Sequence, residues 1–194
     1  MHGKPVIIVA NHLSYSDANV IDILLQQCGH DEIASRLAVI AGAKVYSDVT
    51  RRFSSLCFGT IRSPQNESVS SGEAVMTSRQ VALAARQTLA TAHTRLANGD
   101  ALLIFPEGTR SRSGGMQWFL PGVARYFDED DTLVVPIGLC GTEHMYEIGE
   151  ARLGSAGITM SIGPPTSVAA IRPVAGQHRR GFVDALRALV AQQV

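Results

Sequence analysis

Pro5-Val-Ile-Ile-Val-Ala10 runs directly into Asn11-His12-Leu13-Ser14-Tyr15-Ser16-Asp17, and the reading of the whole chain turns on this junction. The first half is apolar without alternation. A strand with one wet face alternates apolar and polar residues, so an unbroken run marks a strand covered on both faces, as in a parallel sheet. The polar half then lies at the carboxyl end of that strand. From there to about Cys28 the spacing is helical, with Gly29 as the stop. In open α/β sheets the carboxyl ends of strands are where ligands bind.

Working outward, the same kind of run recurs at Leu37–Gly42, Ala101–Phe105 and Thr132–Leu139, and a weaker alternating strand spans Gly157–Ile162 before Pro164-Pro165. Pro136 inside the third of these predicts an edge or an irregularity there, because proline cannot donate to a sheet ladder. Between the strands, helical spacing predicts a short amphipathic helix over Val49–Phe58, a long one over Gly72–Ala97 ended by Asn98-Gly99, and a helical stretch over Gly122–Phe127. A last helix carries Phe182, Leu186, Leu189 and Val190 on one face, and Ser63–Gly72 reads as a loop. Strands alternating with helices predict an α/β fold: a single three-layer domain over residues 1–194, with a mostly parallel central sheet flanked by helices.

Composition narrows the function. Of 194 residues 45% are apolar and 18% charged, which excludes a disordered tail. Seventeen basic residues balance seventeen acidic ones, so no global field draws the chain to nucleic acid. Fifteen of the seventeen cations are Arg, a bias that suits bidentate phosphate contacts and equally follows from genomic composition. Cys28, Cys57 and Cys140 are isolated and odd in number, which argues against zinc and disulfides and for a reducing compartment. No apolar run reaches the roughly 18–20 residues that span a bilayer, and none reads as a signal peptide.

The chemistry begins at His12. Imidazole is the side chain that takes and returns a proton near neutrality. Asp17, five positions on, lies within reach of Nδ1, where a carboxylate fixes the tautomer and stabilises the imidazolium. An ordinary hydrogen bond at a helix start, with Ser14 or Ser16 as caps, accounts for the same residues. No G-x-S-x-G elbow occurs, so a serine hydrolase is disfavoured. A His–Asp pair without a resident nucleophile suits activation of a hydroxyl brought by the substrate.

A second polar block, Phe105-Pro106-Glu107-Gly108-Thr109-Arg110-Ser111-Arg112, follows another buried strand at the same kind of edge. Gly108 allows close backbone approach, Arg110 offers a planar fork to phosphate, and Thr109 and Ser111 add hydroxyl donors. Glu107 either steadies that fork or contacts a substrate hydroxyl. The alternative is a charged surface turn in which Glu and Arg pair.

Taken together, the two blocks resemble the glycerolipid acyltransferase superfamily, which includes the 1-acylglycerol-3-phosphate acyltransferases. Asn-His, four further residues and Asp is matched by Asn11, His12 and Asp17; the phosphate-site block is matched by Phe105 through Ser111; a late Val-Pro-Ile block is matched by Val135-Pro136-Ile137. The segment from Lys44 through Gly59-Thr60-Ile61 is similar to the one leading to a phosphate-binding Arg. Where many members then carry Asp-Arg, this chain has Pro64-Gln65, and Arg62 is either the substitute for that Arg or a surface residue. Leu120-Pro121 occupy the place of a basic residue often found before the glycine at Gly122.

The resemblance implies transfer of a fatty acyl group from acyl-CoA or acyl-carrier protein, as co-substrate, to the hydroxyl of a lysophospholipid, with 1-acylglycerol-3-phosphate as leading acceptor and no resident cofactor or metal. His12 and Asp17 would be catalytic. Asn11, Arg62, Glu107, Gly108, Thr109, Arg110 and Ser111 would bind substrate. It further implies a cytoplasmic location or peripheral contact at the inner membrane face, weak here because the family's usual N-terminal helices are expected to be lacking. Rivals are another acceptor (glycerol-3-phosphate, a lyso-ornithine lipid), a thioester hydrolase, and a non-catalytic lipid- or carrier-protein-binding domain. His30, His93, His144 and His178 are read as structural, Trp118 and Phe119 as core, and Asp128–Asp131 as a solvated turn.

Overall fold

The structure, a computed structural model, describes residues 3–46, 49–64, 77–145, 154–175 and 178–194. Its first strand, β1 (Val6–Ala10), is central. It pairs in parallel with β4 (Ala101–Ile104) on one side and β5 (Leu133–Cys140) on the other. Beyond β4 lie β2 (Leu37–Gly42) and then β3 (Gly59–Ser63), both parallel. Beyond β5 two short strands, β6 (Thr159–Ile162) and β7 (Thr166–Ser167), run antiparallel. The order is β3-β2-β4-β1-β5-β6, with β7 also against β5.

Register explains why the inner runs are apolar throughout. Ile7 lies opposite Leu102 and Val134, and these point to one face; Ile8 lies opposite Leu103 and Val135, and these point to the other. The first face is covered by α5 (Ser78–Ala97) and α7 (Arg179–Ala191), through Ala92, Leu96, Phe182 and Leu186. The second is covered by α1 (Asp17–Gln27), through Ile21 and Leu25. The three layers and the mostly parallel sheet are therefore as the apolar runs predict.

Local departures have local causes. The long helix starts at Ser78, because Thr77 and Gln80 form a reciprocal cap, Thr77 N–H to Gln80 Oε1 at 2.8 Å and Gln80 N–H to Thr77 Oγ1 at 3.3 Å. Most of the loop read over Ser63–Gly72, and the helix start read at Gly72, lie outside the described residues. The helix read over Val49–Phe58 divides into α4 (Val49–Ser54) and a 3₁₀ turn (Ser55–Cys57). Residues 121–126 also form a 3₁₀ helix, begun by Pro121. Pro136 sits in the interval between the pairing of β5 with β7 and with β6. Its carbonyl accepts the Gly163 N–H at 2.8 Å, so its donorless nitrogen faces the turn at Pro164-Pro165. The Asp128–Asp131 turn is tied to helix α6 (Val168–Ala175) by Arg172, whose guanidinium donates to the Phe127 and Asp128 carbonyls and pairs with Asp130 at 2.8 Å.

At the carboxyl end of β1, Asn11 takes over where the ladder stops. Its Nδ2 donates to the Leu139 carbonyl at 2.9 Å and its Oδ1 accepts the Leu139 N–H at 2.7 Å, so the side chain imitates one more residue of strand pairing. Asn11 is buried, and either Leu139 group left unpaired there costs about 1–3 kcal/mol. Asn11→Ala should lower the unfolding free energy by about 2–4 kcal/mol in denaturant titration; unchanged stability would show that the imitation contributes nothing.

Candidate active site

His12 leaves β1 into a tight turn before α1, and both its ring and its main chain are held. The ring Nδ1 lies 2.9 Å from Asp17 Oδ2. The same oxygen accepts the main-chain N–H groups of Leu13 at 2.6 Å and Ser14 at 2.9 Å. Asp17 is 0% exposed, and His12 retains 16% of its side-chain surface. Three donors converging on one carboxylate oxygen fix the turn and place the imidazole proton on Nδ1, which leaves Nε2 as the acceptor. Ser16 precedes α1 without a side-chain cap, so the alternative reading of a serine-capped helix start fails at that residue. The imidazole also stacks on Phe105, with centroids 4.5 Å apart and planes at 24°.

The second block supplies the rest of the grip. Glu107 Oε1 accepts the His12 N–H at 2.8 Å, while its Oε2 accepts the Gln117 N–H at 3.0 Å. On the other side, Ser111 N–H donates to the His12 carbonyl at 2.7 Å. Glu107 is thus a buried strut between three loop segments, and it does not pair with Arg110 as a charged surface turn would require. Burial raises its pKa above the ordinary glutamate range, against the backbone donors that pull it down.

Beside His12 opens a cleft of about 310 Å³, lined mostly by apolar side chains such as Val39, Phe58, Leu89 and Ile104. His12, Gly108, Thr109 and Arg110 line it. Gly108 has φ +71°, and a Cβ there would press on Leu120. The Arg110 guanidinium lies 4.5 Å from the centroid of the Tyr15 ring, and Arg51 lies 4.0 Å from the same ring. Arg125 also lines the cleft, and no carboxylate does among the described residues. The site therefore combines one proton acceptor, an apolar arm and several cations, with no carboxylate in the lining among the described residues.

The remaining expected catalytic and binding residues stand elsewhere. Asp17, Glu107, Ser111 and Asn11 lie behind the cleft and hold His12 or the strand that carries it. Arg62 points into a neighbouring depression. Trp118, read as core, is 69% exposed and lies against Arg187, its ring centroid 4.6 Å from the guanidinium carbon; Phe119 beside it is buried. The sequence alone assigns no role to Tyr15, Arg51 or Arg125. Tyr15 lies within the first block, but Arg51 and Arg110, whose guanidinium groups meet its ring, are remote from it in sequence, so no local pattern marks it.

A family model described as Acyltransferase matches residues 1–140. The chain belongs to the acyltransferase family. A search of the curated proteins finds no match. Among solved structures, this acyltransferase is similar to the 1-acyl-sn-glycerophosphate (LPA) acyltransferase PlsC of Thermotoga maritima, with a TM-score of 0.63 and 20% identity. The match covers 100% of this chain and 66% of that one, so this chain spans just under two thirds of its structural relative. At that identity the likeness concerns the fold: the same α/β architecture with a mostly parallel sheet.

Glu107 yields a pH-dependent expectation. Its folded-state pKa is raised, so in the interval above the ordinary glutamate value the folded chain keeps a proton that the unfolded chain has released. That contribution to stability is present at low pH and lost as pH rises through the raised value. Glu107→Gln abolishes the titration and turns an NH₂ toward one of two N–H donors, at a cost of about 1–3 kcal/mol near neutrality. The stability of the unmodified chain relative to this variant should rise further as pH falls. A pH-independent difference in unfolding free energy would refute the assignment.

Proposed function

We propose that this acyltransferase moves a fatty acyl group from acyl-CoA or acyl-carrier protein to the hydroxyl of a lysophospholipid, with 1-acylglycerol-3-phosphate as the acceptor. The observation that carries this reading is the His12–Asp17 pair, with Nε2 free, at the wall of an apolar cleft that also holds Arg110. His12 Nε2 takes the proton of the acceptor hydroxyl as its oxygen attacks the thioester carbonyl. The tetrahedral adduct collapses, the C–S bond breaks, and the imidazolium returns the proton to the departing sulfur. Asp17 stabilises the imidazolium while that charge exists. The incoming hydroxyl is the nucleophile, so no acyl-enzyme or resident cofactor takes part.

Arg110 is the group suited to the acceptor phosphate, with Gly108 and Thr109 beside it. Glu107, Ser111 and Asn11 act indirectly in this scheme, through the main chain of His12 and the end of β1. Among the described residues no helix is long and apolar enough to cross a membrane. The exposed Val49, Phe53, Leu56, Trp118 and Leu120 support a weak peripheral contact with the lipid surface where such acceptors reside, and the inner membrane face is the location proposed.

Thiol release from acyl-CoA, measured with and without lysophosphatidate, tests the reaction. Release that requires the acceptor and yields phosphatidate is expected; equal release into water alone would replace transfer by hydrolysis. His12→Ala should reduce turnover by about 10²–10⁴-fold in a folded variant, and near-normal turnover would remove His12 from the mechanism.

Arg110→Ala should raise the acceptor KM by about ten- to a hundredfold and the donor KM far less. Arg110→Lys should not restore it, since an ammonium lacks the parallel pair of donors. Equal changes in both KM values would show that Arg110 does not grip the acceptor phosphate.

A further inference from the structure

Next to the catalytic cleft lies a second depression, of about 480 Å³, lined by Tyr46, Arg52, Leu56, Thr60 and Arg62 together with Ser55 and Phe58. Ser55 and Phe58 also line the cleft, so the two hollows share a wall and one elongated ligand can occupy both. Strand geometry separates their cations. Ile61 of β3 is buried in the core, so Thr60 and Arg62 face the other way, into the depression. Arg51 lines the cleft, whereas Arg52, the next residue of α4, lines the depression.

The depression has the chemistry of an anion site. Arg52 and Arg62 are exposed, and neither makes an ion pair among the described residues. The Arg62 guanidinium lies 4.4 Å from the centroid of the Tyr46 ring, which orients its fork. No carboxylate lines the depression among the described residues. Burial raises the Tyr46 pKa more than Arg62 lowers it, so the phenol stays a neutral donor. Arg62 lies outside the cleft that holds Arg110, so the two cations do not grip one phosphate from opposite sides.

We infer that the depression holds a phosphate of the thioester donor, so that donor and acceptor phosphates are received at two separate sites, Arg52 and Arg62 for the first and Arg110 for the second. The inference rests on the acyltransferase reading above for the identity of the ligand. A thioester of CoA and one of a carrier protein share a phosphorylated pantetheine arm. With the thioester carbonyl near His12, that arm leaves the cleft across the wall formed by Ser55 and Phe58 and presents its phosphate to the guanidinium pair.

Equilibrium binding to the full chain tests this without requiring turnover. The probes are CoA, holo-carrier protein and phosphate-free pantetheine, measured with the unmodified chain, Arg62→Ala and Arg52→Ala/Arg62→Ala. The Arg62 carbonyl, which accepts the Thr88 hydroxyl at 2.6 Å, is main chain and survives the substitution; thermal unfolding confirms that each variant is folded. Arg62→Lys keeps the charge and gives a second measure. The double variant should bind CoA or holo-carrier protein about ten- to a hundredfold more weakly, with pantetheine affinity changed less than twofold and Arg62→Lys intermediate. Loss with CoA alone assigns the nucleotide phosphates, and loss with both probes assigns the shared arm phosphate. Equal losses for pantetheine, no loss with either phosphate-bearing probe, or no binding of CoA and carrier protein to the unmodified chain would overturn the site. Arginine-dependent CoA binding in a chain that transfers no acyl group would leave the site standing and refute the functional reading. Transfer that occurs with an acceptor KM, but not a donor KM, sensitive to the double variant would do the reverse.

Discussion

The main chain of His12 is gripped from both sides, and the rest of the site is arranged around that grip. Its N–H meets a buried carboxylate and its carbonyl meets the Ser111 N–H, so the residue is fixed before its side chain is considered. A buried carboxylate is costly unless each oxygen finds a donor, and Glu107 meets that condition only by drawing the loops after β1 and β4 and the segment at Gln117 to one point. Asp17 gathers its donors differently, three of them on the single oxygen Oδ2 inside one turn. Two carboxylates therefore do the positioning, while the wall of the cleft carries cations.

That division has an electrostatic logic. The Asp17 and Glu107 carboxylates stand behind the imidazole, and neither lies in the cleft lining, where it would repel an anionic ligand. The cations have the opposite placement. Arg110 is oriented by the face of Tyr15 and Arg62 by the face of Tyr46, and no carboxylate lines either hollow among the described residues.

The parallel sheet could be read from the chain because β1, β4 and β5 are covered on both faces, and such burial leaves an unbroken apolar run. The first polar block could be read as well, since His12 and Asp17 are close in sequence and their contact is local. What stayed hidden depends on distant pairing. Asn11 reads as part of a binding motif, but its partner Leu139 lies 128 residues away. Glu107 reads as a ligand contact until the His12 N–H, 95 residues back, is brought to it. Trp118 and Phe119 are adjacent and alike in composition, and only their opposite orientation in an irregular segment, with no period to count by, separates an exposed ring from a core one.

The strand order also governs how the site comes into being. Strand β1 is flanked by β4 and β5, so a growing chain carries the His12 imidazole long before either neighbour exists. Every contact that steadies the His12 main chain, and the two that finish the strand beneath it, arrives with residues beyond 100. Such distant closure is slow and cooperative, because loop entropy is lost before the contacts repay it. A chain cut short of Leu139 would hold both ends of the His12–Asp17 bond and still lack the contacts that close the strand beneath it, so the candidate site takes its shape only when the centre of the sheet is complete.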